Sequence, residues 1–314
     1  MTKLVDVAAA VILRPDGSFL LGQRAPGTFY PGYWEFPGGK VEPGETPRAA
    51  LIRELDEELG LEVLAVWPWL MRTHRYEHAH VRLHFFRVPE WRGTPSDRVH
   101  AQLVWTTASA PGVEPMLPAN GPVFAALRLP AFMAVTQAAS IGMEAQLAAL
   151  ERLLARGPAL IQVREAALAP AQRAEFAAAA LAIARAAGSP LVINADIDLA
   201  RAIGADGVHL TAAGLAATGT RPPFALVGAS CHGREELLRA AELGLDYAVL
   251  GSVQSTVTHP DRAPLGWDEF ARLAAELPLP VFAIGGMRQA DLASAQEHGA
   301  HGIAAIRAAG SSAP

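Results

Sequence analysis

The chain of 314 residues contains one cysteine, Cys231, and only two lysines, Lys3 and Lys40. A single thiol forms no internal disulfide, so the apolar core has to hold the fold, as in proteins of a reducing compartment. An excess of positive charge is also missing. The 26 basic residues against 31 acidic ones leave a net charge of −5, which excludes the electrostatic footprint of a nucleic-acid polymer or anionic membrane partner. Long apolar runs are absent as well. The stretch 176–184 spans nine residues between Glu175 and Arg185, whereas a membrane-crossing helix needs about 20. No charged leader with an apolar core and a small-residue cleavage site opens the chain. A soluble, cytoplasmic protein is the expectation.

What is present is a globular composition, with 51% hydrophobic and 18% charged residues, at about twice the length of a typical domain of roughly 150 residues. Two patterns divide it, and two domains are expected, residues 1–130 and 131–314. In the first, residues 4–13 are an apolar strand candidate, Asp16-Gly17 a turn, and residues 81–88 and 103–105 further strands. Residues 46–59 read as a helix, with Thr46 as N-cap, Pro47 in the first turn and Gly60 as the stop. Mixed strands with one strong helix predict α+β or a layered α/β sandwich. From residue 131 short apolar strands alternate with Ala-rich helices. Eight strand candidates, beginning at Phe132, Leu160, Leu191, Gly207, Leu226, Tyr247, Val281 and Gly302, favour a (β/α)8 barrel over a doubly wound open sheet.

The most informative stretch is residues 39–61, GKVEPGETPRAALIRELDEELGL. A glycine loop leads into a helix whose Glu54, Glu57 and Glu58 share a face at spacings of three and four. Such crowded carboxylates favour hard, oxygen-preferring cations such as Mg²⁺; a solvated acidic face is the plain alternative. The segment resembles the Nudix box, with Gly39, Glu45, Arg53, Glu54, Leu55, Glu57, Glu58, Gly60 and Leu61 at the family's positions. That resemblance implies an N-terminal Nudix α/β/α sandwich that hydrolyses nucleoside diphosphates linked to another group. It also implies that Glu54, Glu57 and Glu58, helped by the Gly39 carbonyl, bind Mg²⁺ or Mn²⁺, that Arg53 orients the glutamates and that Glu45 buttresses the loop. The metal would neutralise phosphate charge and activate water.

The flanks resemble the MutT-type subfamily. Residues 33–39 (YWEFPGG) look like its lead-in, Arg24 sits at its substrate-contacting arginine, and residues 118–123 (PANGPV) are similar to its C-terminal segment. The resemblance implies 8-oxo-dGTP diphosphatase activity in nucleotide-pool sanitation and DNA repair, with Arg24, Phe36 and Asn120 binding substrate. An amide at Asn120 offers both the donor and the acceptor that reading a purine edge needs; a helix N-cap is its plain alternative. The subfamily's further glutamate falls at Val99 here, and His100 is the nearest substitute base. His74, His78, His80 and His84 lack accompanying cysteines and read as alternating strand residues rather than a zinc site. Trp67, Trp69 and Trp91 read as packing.

The second half resembles thiamine-phosphate synthase and the related thiazole tautomerases, through residues 162–165 (QVRE), 192–194 (VIN), 204–210 (GADGVHL), 251–253 (GSV) and 283–286 (AIGG). The resemblance implies a phosphate cradle at Gly285-Gly286 and a ligand site drawing on Arg164, Asn194 and His209, with Ser230 and His259 nearby. The pyrophosphate clamp and Mg²⁺ ligands of the synthase are eroded. Ala166 ends the Gln-x-Arg-x-Lys motif, Ala195 replaces an aspartate, residues 211–214 lack the expected Gln and Asp, residues 256–259 read TVTH, and Arg307 replaces a small serine. Every positive charge in this half is an arginine. Three readings of the barrel stay open: a bifunctional protein with synthase or tautomerase activity, a phosphate-ligand-binding module, and a stabilising partner of the hydrolase.

Overall fold

The computed structural model describes residues 3–256 and 263–306. It divides into two compact units, Met1–Arg128 with Ala275–Pro278, and Leu129–Ala274 with Leu279–Pro314.

In the first unit, β1 (Leu4–Ile12) is apolar on both faces, the pattern of a strand covered on each side. A four-stranded sheet has the order β4 (Gly38–Lys40), β1, β6 (His80–Arg92), β5 (Glu62–Arg75), with β1 and β6 parallel. A three-stranded sheet has the order β3 (Trp34–Glu35), β2 (Phe19–Gln23), β7 (Gln102–Thr106). Ala8, Ala10 and Ile12 of β1 pack in one core with Leu51, Leu55 and Leu59 of helix α1 (Pro47–Leu59). Ala9 and Val11 point into another core with Val123 and Phe124 of helix α2 (Gly121–Leu127). The pleat alternation of one strand thus builds the helix–sheet–helix layering. Helix α1 starts and stops as its sequence predicts: the Thr46 side chain accepts from the Ala49 N–H, and Gly60 closes it at φ 69°.

Strand β5 was not foreseen. Its pairing with β6 carries register shifts around Val63, Ala65, Trp67, Pro68 and Leu70, so the bulges and proline erase the alternation by which a strand is read. Trp69 is buried, and Trp91 stacks on Trp105 with ring centroids 5.8 Å apart, as packing roles predict. His84 joins Arg82 on Asp6, at 2.7 Å and 2.6 Å, and the Arg82 hydrogen bond first, then His84, hold that carboxyl down at about 2.

In the second unit eight parallel strands close a barrel: β8 (Phe132–Val135), β9 (Leu160–Val163), β10 (Leu191–Asn194), β11 (Gly207–Leu210), β12 (Leu226–Cys231), β13 (Tyr247–Gly251), β14 (Val281–Ile284) and β15 (Gly302–Ala305). The lumen is filled by Met133, Leu160, Val192, Tyr247, Val249, Phe282 and Ala304, a packed core rather than a pore. Gly228 has to be glycine, because a Cβ there would lie 2.1 Å from the Tyr247 ring. Around that ring runs a buried polar chain. His209 Nδ1 lies 3.1 Å from the Tyr247 hydroxyl, and its Nε2 lies 2.9 Å from Ser230 Oγ. Burial, followed by the Arg164 charge, pushes the His209 imidazole down to about 3.

A folded His209 therefore stays neutral down to about pH 3, whereas an unfolded imidazole charges near pH 6.5. The unfolded state binds the extra proton in that window, so stability falls as pH falls, by up to about 1.4 kcal/mol per pH unit. Urea midpoints of the full chain between pH 7 and 5, followed by circular dichroism, are expected to drop on acidification, and His209→Gln is expected to flatten the slope. An unchanged slope in the variant would refute this assignment.

Candidate functional site

The loop between β4 and α1 and the second half of α1 build the acidic site. Leu51, Leu55 and Leu59 face the core, which turns Arg53 and Glu57 to the opposite side of the helix. Arg53 spreads its whole guanidinium over the loop. Nε and Nη2 donate to Glu45 at 3.1 and 3.0 Å, Nη2 also donates to the Lys40 carbonyl at 3.1 Å, and Nη1 meets Glu54 at 3.0 Å and Glu57 at 3.2 Å. Hydrogen bonding to Glu45 and then Glu54 keeps Arg53 charged, and Arg53 in turn lowers the Glu45 carboxyl. Gly39 lies so close to Glu54 that a Cβ would sit 2.1 Å from the carboxyl carbon.

Glu58 is turned inward. One of its carboxylate oxygens is buried with no hydrogen-bond partner. Burial first, then the charges of Glu54 and Glu35, push its pKa up to about 7. Among the described residues no group of three or more His, Cys, Asp or Glu converges as a ready metal site. The expected set of Gly39, Glu54, Glu57 and Glu58 is thus only partly drawn together. Glu54 and Glu58 interact, while the Glu57 side chain is 59% exposed and pairs with Arg53. The residues still fit a hard divalent cation. The orphaned Glu58 oxygen is a costly group to bury without a counter-charge, and the donors are all oxygen. Glu54, Glu58 and the Gly39 carbonyl, joined by Glu57, are the groups that would hold it.

The substrate residues expected from the sequence part company. Arg24 Nη1 donates to both Glu35 carboxylate oxygens, at 2.8 and 2.7 Å, and its Nε donates to the Phe29 carbonyl at 2.5 Å. Asn120 is buried, and its amide donates to the Trp34 carbonyl at 3.2 Å; it makes no side-chain cap on α2, so the N-cap alternative fails. Phe36 requires correction. It is 4% exposed and ringed by Phe19, Phe85 and Phe124, so it is a core side chain with no surface to offer a substrate. Val99 is 51% exposed. His100 packs over Gly22, and burial, then the Arg24 charge, push its imidazole down. The residue that sequence reasoning missed is Glu35. Burial raises its pKa despite Arg24, and its charge reaches Glu58. Its signal was register: strand pairing sets Glu35 opposite Gly22, two residues before Arg24.

In the barrel, the expected ligand residues stand at the strand C-terminal ends, where barrel enzymes place their sites. Arg164, Ser230, Ser252, Thr256 and Gly285 line one cavity. Gly285 and Gly286, with Ser255 and Arg288, line a second of about 580 Å³. Asn194 lines a third with Ala166, Arg173 and Asp196, and it accepts from Gln162 at 3.0 Å. His209 lines none of these three. It is 1% exposed and sits behind Ser230, a positioning residue rather than a ligand contact. Glu165 accepts the Ala138 and Ala139 N–H groups at 2.6 and 2.8 Å. Thr211 caps the helix Ala212–Ala217, leaving no acid at the eroded metal position. Cys231 is buried, with its thiol pushed up to about 12 by burial, which excludes a ready nucleophile. Residues 257–259 and Arg307, including His259, lie outside the described residues.

With this geometry in hand, comparison places both units. The NUDIX domain profile matches residues 3–127, and the thiamine monophosphate synthase profile matches residues 132–309. The chain is 41% identical over 138 residues to the CTP pyrophosphohydrolase of Escherichia coli strain K12, covering 43% of this chain and 96% of that protein. It is 38% identical over 177 residues to the thiamine-phosphate synthase of Herpetosiphon aurantiacus, covering 56% of this chain and 86% of that protein. A solved MutT structure, from work on Aliivibrio salmonicida and Vibrio cholerae, is 28% identical at a TM-score of 0.35, covering 40% of this chain and 97% of that one. The chain belongs to the Nudix family through its N-terminal part and to the thiamine-phosphate synthase family through its C-terminal part. The first part is a Nudix hydrolase domain, and Nudix hydrolases generally use a divalent metal, typically Mg²⁺. No helix of the described residues is long and apolar enough to cross a membrane.

The contact between Gly39 and Glu54 sets a test. Gly39→Ala is expected to displace the Glu54 carboxylate and lower kcat about 100-fold, with little change in melting temperature because the added methyl meets the end of a polar side chain at the edge strand β4 rather than the core. A variant with wild-type kcat at saturating metal would sink the claim that this contact positions Glu54.

Proposed function

We infer that the N-terminal domain, residues 1–130, hydrolyses 8-oxo-dGTP to the monophosphate and pyrophosphate, clearing an oxidised precursor from the nucleotide pool. The observation that supports this most is the buried Asn120 amide fixed on the Trp34 carbonyl of β3, just ahead of β4, where Gly39 begins the acidic site. Beyond that bond the amide keeps its oxygen and a second hydrogen as acceptor and donor, so reading a base edge requires that nucleotide binding open this side chain, which is 4% exposed. When bound, Mg²⁺ (or Mn²⁺) would neutralise phosphate charge and activate the attacking water. The chain's own part is orientation: Arg53 fixes Glu45, Glu54 and Glu57, while Glu35 holds Arg24 beside the site.

Mg²⁺-dependent release of pyrophosphate from 8-oxo-dGTP is expected, and it should fall by at least about 100-fold in Glu54→Gln, the residue held by both Gly39 and Arg53. Specificity is read from kcat/KM on 8-oxo-dGTP, dGTP and CTP. Equal values on the first two would end the 8-oxo reading. A higher value on CTP would favour the second reading, CTP hydrolysis, which rests on the relative named a CTP pyrophosphohydrolase.

For residues 131–314 we infer a phosphate-ligand-binding barrel without synthase turnover. Ala166 and Ala195 stand where the diphosphate clamp and metal ligand belong. Arg173, the cation in that cavity, is paired with Asp196 at 3.2 Å. The full chain, supplied with Mg²⁺, the pyrimidine diphosphate and the thiazole phosphate, is expected to form no thiamine phosphate. Formation of that product would restore the bifunctional reading.

A further inference from the structure

The buried chain of Tyr247, His209 and Ser230 has a direction that none of the assigned roles uses. Strand register sets His209, Gly228 and Tyr247 side by side on β11, β12 and β13. The tyrosine ring crosses over Gly228, where no Cβ stands in its way, and reaches His209. Ser230 lies two residues beyond Gly228 toward the C-terminal end of β12, which is the mouth of the barrel. Tyr247 is 0% exposed, and among the described residues its hydroxyl has a single partner, His209 Nδ1 at 3.1 Å. A phenol in that position has to donate, because a buried O–H without an acceptor is costly. Nδ1 is then the acceptor and carries no hydrogen.

Burial keeps the imidazole neutral, and a neutral imidazole has one N–H, which therefore falls at Nε2. That N–H donates to Ser230 Oγ at 2.9 Å. The serine hydrogen is left over, and among the described residues no protein group accepts it. The reverse arrangement, with Ser230 donating to Nε2 and Nδ1 donating to the phenol oxygen, would strand the Tyr247 hydrogen inside the lumen. Ser230 lines its cavity together with Arg164, whose guanidinium has no ion-pair partner among the described residues, and no carboxylate lines that cavity. A hydroxyl hydrogen and an unpaired cation thus face one space. An anionic oxygen satisfies both, whereas a ligand group that can only donate leaves the serine hydrogen unmet.

We propose that Tyr247, acting through His209, is a positioning residue that locks the Ser230 hydroxyl as a hydrogen-bond donor into the cavity, so that the barrel selects a ligand presenting an anionic oxygen there over one presenting an N–H or O–H. This rests on the reading that the barrel binds a phosphate ligand. The selecting element is the direction of the hydrogens along the chain, set by a phenol that no ligand touches.

Nuclear magnetic resonance reads the hydrogens directly. Long-range proton–nitrogen spectra of the full chain labelled in histidine, with His209 assigned by its loss in His209→Gln, are expected to show a bare Nδ1 and a protonated Nε2. Calorimetric titration of the full chain with inorganic phosphate supplies the second readout. Ser230→Ala is expected to weaken phosphate binding about tenfold, the loss of one hydrogen bond to a charged group. Tyr247→Phe frees the hydrogen to move between the two ring nitrogens and is expected to weaken binding about threefold. The double variant is expected to bind no more weakly than Ser230→Ala, since Tyr247 acts only through Ser230. A protonated Nδ1 in the wild type overturns the proposal, and that spectrum decides even where Tyr247→Phe fails to fold. Additive losses in the double variant, or wild-type affinity in Ser230→Ala, overturn it as well. A wild type with a protonated Nε2 that takes up no phosphate refutes the phosphate-ligand reading, and with it the selection of an anionic oxygen, while upholding the locked donor.

Discussion

The arrangement of the acidic site depends on one guanidinium. Arg53 touches Glu45 from the loop, Glu54 and Glu57 from its own helix, and the Lys40 carbonyl at the end of β4. Without it, Glu45 on the loop and Glu54 and Glu57 on the second half of the helix would crowd together with nothing to set their directions. The planar fork of arginine can bind several oxygens at fixed angles, which a lysine ammonium cannot do. Helix α1 is anchored beneath by three leucines, so the guanidinium works from a rigid base. Glu58, facing inward and away from Arg53, is left as the carboxyl whose charge the protein itself does not balance.

Much of this was legible in the sequence because it is local. The Thr46 cap, Pro47, the leucine stripe and the stop at Gly60 all lie within one helix, where spacing fixes direction. The eight barrel strands were legible for a similar reason, as each is a short apolar run bounded by helix signals. What escaped depends on partners far along the chain. Strand β5 is bulged to follow β6. Phe36 belongs to the core because Phe19, Phe85 and Phe124 arrive from three other elements. Glu35 joins the site only because strand pairing brings it beside Arg24.

The barrel shows how a fold outlives the groups its chemistry used. His209 links Tyr247 in the packed lumen to Ser230 at the cavity, and Gly228 keeps the space that the tyrosine ring fills. These residues stabilise the interior whether or not anything binds at the mouth. Positions 166 and 195 lie exposed at the rim, where packing asks little of a side chain, although Ala195 holds a left-handed backbone at φ 61°. Motif loss there is informative about chemistry, because packing puts so little demand on those sites.

Cys231 is buried and its thiol is pushed up to about 12, so at neutral pH it stays protonated and shielded from electrophiles. With no other sulfhydryl in the chain, the native protein is expected to react slowly with maleimides and iodoacetamides. A cysteine introduced at any exposed position would then carry the sole fluorophore or spin label, with no need to strip out an endogenous one first.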